Sequence, residues 1–112
     1  MKTLGEIIKE YRERENWPQR KLAYVLDIDV AVLSRIENDN KFPKKRVQDI
    51  IHKVSNIFNI SEEELKQIYL SDEIASMLAF EENYNTILKV SEEKVQYKRM
   101  TKIEQSKIKF TE

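Results

Sequence analysis

Apolar side chains recur at helical spacing along most of this chain. Leu4, Ile7, Ile8 and Tyr11 stand at i, i+3, i+4 and i+7, one face of a helix running to about Glu15. Asn16 and Trp17 end it, and Pro18 opens a second helix at a position where its missing N–H costs nothing. The inward face of that helix is Leu22, Ala23, Val25 and Leu26, with Arg20 and Lys21 turned out. Asp27-Ile28-Asp29 makes a tight break, and Asp29 is placed to cap a third helix over Val30 to Asn38, anchored by Leu33 and Ile36. Asn38-Asp39-Asn40 stops it. Pro43 restarts the chain into a fourth helix, about Lys44 to Phe58, whose buried stripe is Val47, Ile50, Ile51, Val54 and Phe58. Ser61 with Glu64 three residues on is a capping box, so a fifth helix starts at Glu62 and turns Leu65, Ile68 and Tyr69 inward.

Beyond Leu70 the pattern thins. Ile74, Met77 and Leu78 predict a sixth helix, and Tyr84, Ile87, Leu88 and Val95 a seventh, with Glu81-Glu82-Asn83 as the joint. From Lys98 onward no period is sustained, which predicts a frayed tail. There is no internal repeat and no low-complexity run.

Composition narrows the picture. At 112 residues the chain can build one hydrophobic core and not two. Apolar residues are 40% and charged residues 36%, too rich in Leu, Ile and Val for a disordered chain. One Gly and two Pro leave few turn formers, which favours helices over a sandwich or barrel. The absence of Cys excludes a disulfide framework and thiolate metal sites, and suits a reducing compartment. The start is polar and unlike a signal peptide. No apolar run nears the roughly 20 residues of a membrane span. A cytoplasmic protein with no membrane partner is the expectation.

Net charge is zero, but it is unevenly spread. Residues 1–60 carry 12 Lys/Arg against 9 Asp/Glu, and residues 61–112 carry 8 against 11. A basic front and an acidic back fit a reader module joined to an interaction module, though a difference this small also arises by chance.

Residues 18–43 are the informative stretch. Two short helices joined by three or four residues, the second with free outward positions, match helix-turn-helix geometry. The turn needs a residue that tolerates positive φ, and Asp27 stands there. The first helix needs a small residue midway, and Ala23 supplies it. The second needs apolar anchors a turn apart, met by Leu33 and Ile36. The order Leu4, Gln19-x-x-Leu22-Ala23, Leu33-Ser34-Arg35-Ile36-Glu37, Pro43 and Ile60-x-x-x-Glu64-Leu65 resembles the lambda-repressor-like helix-turn-helix family, also called the Xre or phage-repressor/Cro type. The resemblance covers about residues 4–70.

By that resemblance Gln19 caps the second helix against a phosphate. Val30, Ala31, Ser34 and Arg35 match positions that face bases, while Asn38 and Lys41 match positions that reach phosphates. Glu37 matches a structural acid that pairs within the domain. Two departures stand out: Asp27 replaces the usual Gly of the turn, and Val30 with Ala31 replaces polar residues at the leading base-facing positions. A small aliphatic side chain still has a partner in the thymine methyl group. It equally fits a helix that has moved to a protein ligand.

Arg is the commonest reader of guanine, so Arg35 is placed at a base or a phosphate, against the alternative of an exposed Arg paired along its helix. Lys44, Lys45 and Arg46 crowd a helix start, where the dipole disfavours cations; a bridging phosphate or plain solvation accounts for them. Trp17, just ahead of a Pro-led helix, reads as a core plug before it reads as a base-stacking group. His52 is the sole His and has no Cys or second His with which to hold zinc. Glu62-Glu63-Glu64 are charges favoured at a helix N-terminus. No Gly-rich loop, nucleophile elbow or metal motif occurs, so no enzyme, metal or cofactor is expected.

A single module of this kind buries only about 600–1,000 Å² on DNA, so a homodimer on an inverted repeat is expected. Ile74, Met77, Leu78, Tyr84, Ile87, Leu88 and Val95 either form its interface or pack on the first domain. The back third also looks like the tails of small regulators found near bacterial DNA methyltransferases, which implies a restriction–modification controller. The expectation is an all-α protein: a five-helix domain over 1–70, then one or two helices over 71–112. Its expected function is transcription regulation, by repression or autoregulation, through operator DNA. The alternative is a protein-binding module, antitoxin-like or a scaffold component, on the same fold.

Overall fold

The first four helices all end on a residue with positive φ, and none of these residues is the chain's glycine. In the computed structural model, which describes the backbone of residues 1–111 and side chains through Ile103, those residues are Asn16, Asp27, Asn40 and Asn59, with φ between 54° and 56°. They follow α1 (Leu4–Arg14), α2 (Gln19–Leu26), α3 (Val30–Asp39) and α4 (Val47–Phe58). At each end the next amide reaches back over the last turn: Trp17 N–H to Arg12 O, Ile28 to Ala23, Lys41 to Arg35 and Ile60 to Ser55, at 3.0–3.2 Å. Those bonds satisfy carbonyls that the helix leaves orphaned. Asn and Asp take this conformation more readily than other side chains, so a chain with one Gly still has four sharp stops.

α5 (Glu62–Leu78) and α6 (Tyr84–Thr111) complete an all-helical chain, with no strand among the described residues. Compactness divides it into Met1–Ser76 and Met77 onward. The first unit is built on Leu4, Ile8, Leu22, Ala23, Leu26, Leu33, Ile36, Ile50, Val54 and Leu65, all essentially buried. Trp17 joins this core from its edge, 5.8 Å from the Phe58 ring. Phe42 meets Tyr69 edge-on at 5.4 Å, tying the segment after α3 to α5.

Four expectations are corrected. Residues 44–46 form a separate 3-10 turn, and α4 begins at Val47, because Arg46 turns its guanidinium back onto the end of α2. Val25 is 39% exposed, since Leu22, Ala23 and Leu26 already fill the inward face of an eight-residue helix. Ile74, Met77 and Leu78 belong to α5: no Gly or Pro interrupts it at Leu70, and the Ser71 hydroxyl bonds the Ile68 carbonyl within the helix at 2.9 Å. α6 is helical through Thr111, past Lys98, where fraying was expected. Its backbone follows a run of Lys, Glu, Gln and Arg, which are good helix formers with or without an apolar period.

Candidate nucleic-acid interface

α3 is held from behind. Leu33 and Ile36 are fully buried, and Glu37, one position on, is 2% exposed. A buried carboxylate needs partners, and Glu37 has three bonds. Arg12 Nε donates to Oε2 at 2.8 Å, and an Arg12 terminal nitrogen donates to Oε1 at 3.0 Å. Gln19 Nε2 donates to the same Oε1 at 3.0 Å. The remaining Arg12 nitrogen donates to the Trp17 carbonyl at 2.7 Å. Arg12 lies on the stripe Leu4–Ile8–Arg12, which brings its guanidinium inside. The Glu37 carboxylate holds that guanidinium's pKa above its ordinary value. α1, α2 and α3 are thereby locked by one charge-assisted fork.

The outward face is free. Val30, Ala31, Arg35 and Asn38 are exposed and Ser34 is half-buried, the five positions together forming one side of α3. Asn38 Nδ2 donates to Ser34 Oγ at 3.1 Å, which fixes both side chains on that face. Asp29 is the N-cap residue of α3, but its side chain makes no capping bond. Gln19 sits half-buried at the first position of α2, and its amide nitrogen is committed to Glu37. Lys41 follows the left-handed Asn40, and Lys44 and Lys45 are exposed on the 3-10 turn. Among the described residues, Arg35, Lys41, Lys44 and Lys45 make no ion pair.

Arg46 plays a different part from its two lysine neighbours. It donates to the carbonyls of Leu26 and Asp27, both at 3.0 Å, and to Asp49 Oδ2 at 2.7 Å. A cation on the last carbonyls of α2 suits the negative end of that helix. Its bond, followed by that of Lys53, holds the Asp49 carboxyl below the ordinary carboxylate range. The turn between α2 and α3 is thus braced from outside.

A second brace reaches the other end of α3. Asp72 Oδ2 accepts from the Leu4 N–H at 2.8 Å and from Asn40 Nδ2 at 3.1 Å, and Asn40 Oδ1 accepts from the Gly5 N–H at 2.9 Å. Asn40, Asp72, Gly5 and Arg12 were not among the expected functional residues. The signal that could have found Arg12 is its spacing of four and eight from Ile8 and Leu4, and for Asn40 its place just after a helix.

A helix-turn-helix family model matches residues 8–65, just over half of the chain. The chain belongs to the lambda-repressor-like helix-turn-helix family. This is a family of DNA-binding transcription regulators. Neither a curated protein nor a solved structure matched the chain. The matched span of this helix-turn-helix protein takes in the Arg12–Glu37–Gln19 fork, all of α2 and α3, and the start of α5. Among the described residues no cluster of His, Cys, Asp or Glu could hold a metal ion, and no helix is long and apolar enough to cross a membrane.

Proposed function

We propose that the chain is a sequence-specific regulator that acts in the cytoplasm as a homodimer, laying α3 into the major groove at each half of an inverted-repeat operator. The observation that carries this is the free face of α3. Val30, Ala31, Ser34, Arg35 and Asn38 point away from a helix whose other side is buried and ionically locked. A rigid helix with an unused polar and small-residue face fits a groove about 12 Å wide. In this reading Arg35 takes a guanine edge, Val30 and Ala31 meet thymine methyls, and Asn38, Lys41, Lys44 and Lys45 hold phosphates. Gln19 reaches its phosphate with α2's first turn while its amide nitrogen stays on Glu37.

Repression of its own promoter is the mode proposed, since a dimer bound across a promoter blocks it without further parts. The restriction–modification assignment rests on the tail resemblance, and a DNA methyltransferase gene beside this one would support it. The test is a gel shift on the chain's own promoter fragment, against an unrelated fragment at the same salt. A specific shift that Arg35→Ala weakens is expected. No shift on any DNA, with the protein folded, overturns the reading and leaves the face of α3 to a protein ligand.

A further inference from the structure

Every residue from Tyr84 to Met100 in α6 is exposed, including Tyr84, Ile87, Leu88, Val90, Val95, Tyr97 and Met100. A lone helix has no core of its own, and isolated helices are marginal in water. Within α6, positions 84, 88, 91, 95 and 98 are spaced four, three, four and three apart, the spacing of a single helix–helix seam. They hold Tyr84, Leu88, Ser91, Val95 and Lys98, and Glu81 stands in the turn just ahead of the helix. The seam has a small residue near its middle, Ser91, whose hydroxyl is satisfied within the helix by the Ile87 carbonyl at 2.7 Å. The stretch around it is also polar in charge: residues 81–93, two of whose four Glu precede the helix, carry those four against one Lys, and residues 94–103 carry three Lys and one Arg with no acid.

We infer that α6 pairs with α6 of a second copy, antiparallel, about a twofold axis between Lys89 and Val90. In that register Leu88 seats against Ser91 of the second copy, and Tyr84 against its Val95. Glu81, in the turn ahead of α6, meets Lys98 of the second copy. Every seam position then finds its complement: large against small at the centre, acid against base at both ends. Parallel pairing does the reverse, setting Glu81 on Glu81, Lys98 on Lys98 and a gap at Ser91 on Ser91. Like charges held opposite one another are destabilising. The helical part of the antiparallel seam, Tyr84 to Lys98, is about 21 Å long at 1.5 Å per residue. That is short for a specific interface, so the dimer dissociates on dilution. This pairing deepens the homodimer proposed above and rests on that reading for what the dimer is for; the pairing itself is tested without DNA.

The chain has no cysteine, so introduced thiols report alone. Full-length Leu88→Cys and Ser91→Cys, mixed and mildly oxidised, should form a mixed disulfide, while each alone forms little. Ready cross-linking of Ser91→Cys with itself would mean parallel pairing and overturn the inference. Sedimentation of the unmodified chain should show a concentration-dependent dimer that Leu88→Asp abolishes. Lys98→Glu should weaken it, and adding Glu81→Lys in the same chain should restore it. A monomer at every concentration, or a dimer indifferent to Leu88→Asp, also overturns it. DNA binding by a chain that fails these tests removes α6 pairing and leaves the groove-reading of α3 standing; paired chains that bind no DNA do the opposite.

Discussion

A β-carbon on Gly5 would lie 1.9 Å from the carbonyl oxygen of Ile36, so α1 and α3 touch there backbone to backbone. The obstacle is main chain, which cannot rotate aside as a side chain can. Gly5 is therefore fixed by close approach and not by its dihedral angles, and through Ile36 it sets how far α3 stands from the rest of the domain.

Gly5→Ala should push α3 outward, away from α1. Overpacking of this kind costs about 1–3 kcal/mol, and backbone approach places this case at the upper end. Thermal unfolding measures it directly. A melting temperature unchanged from that of the parent chain would show that the two helices separate without penalty.

The Arg12–Glu37 fork makes a sharper prediction. Removing Arg12, as in Arg12→Leu, leaves a carboxylate buried without its cation, which costs about 3–5 kcal/mol. Arg12→Lys should recover little of that stability, since an ammonium cannot reproduce both fork bonds and the bond to the Trp17 carbonyl. Glu37→Gln in the Arg12→Leu background should relieve much of the damage, because a neutral amide tolerates burial better than an unpaired charge. Urea unfolding of the single and double variants decides it. Additive effects would mean that the two side chains are not coupled.

Much of this was legible from residue order alone. The apolar stripes placed α1 to α4 to within a few residues, and the two anchors Leu33 and Ile36 separated the buried side of α3 from its free side. The box at Ser61 and Glu64 was readable. The same signature at Thr3 and Glu6 closes in full at α1, with each partner's side chain bonded to the other's backbone. What stayed hidden was long-range. Nothing near Asp72 in the chain marks it as the acceptor for Leu4 and Asn40, 68 and 32 positions away. Arg46 looked like a third member of a cationic run, and only its fold-back onto α2 sets it apart from Lys44 and Lys45. The close approach that demands Gly5 likewise lies across the domain.

Asp72 predicts where the first unit can be cut. A fragment ending at Ser76 keeps the acceptor for the Leu4 N–H and the Asn40 amide, whereas one ending at Leu70 leaves both donors without it. Removing hydrogen-bond partners of this kind costs about 1–3 kcal/mol. The fragment 1–76 should melt cooperatively and 1–70 at a lower temperature, with Asp72→Ala in the longer fragment reproducing most of the difference. Equal melting of all three would remove Asp72 from the domain's support.

The Arg46–Asp49 pair is testable by pH. The Asp49 carboxyl is held below its ordinary value of 3.8, first by its bond to Arg46 and then by Lys53. A depressed carboxyl contributes stability above its unfolded pKa and loses it as pH falls through the folded pKa, so the brace on the α2–α3 turn weakens only below about pH 4. Carboxyl chemical shifts in a pH titration should place Asp49 below an unpaired aspartate. Arg46→Met should move it up toward the ordinary value, with Lys53 still holding it somewhat below. An unshifted Asp49 in the parent chain would show that the latch is open in solution.

On the proposed reading, variants of Arg35, Lys41 and Val30 separate readout from positioning on DNA. If Arg35 grips a guanine edge, Arg35→Ala costs about 1–3 kcal/mol on the operator, and discrimination at that base pair falls with it. Lys41→Ala should instead weaken all sequences about equally. With about four to six phosphates neutralised per dimer, the slope of log K against log salt should be roughly −4 to −5, and each lysine–phosphate pair removed should flatten it by about one unit. Val30 carries no charge and should leave the slope alone. Its signature is chemical: replacing the thymine beneath it by uracil should weaken the parent chain and leave Val30→Ala nearly indifferent, because the methyl group then has no partner to begin with. Equal weakening in both proteins would mean that Val30 does not read that base. Circular dichroism must show each variant folded, since Arg35 stands beside Ile36, whose carbonyl faces Gly5.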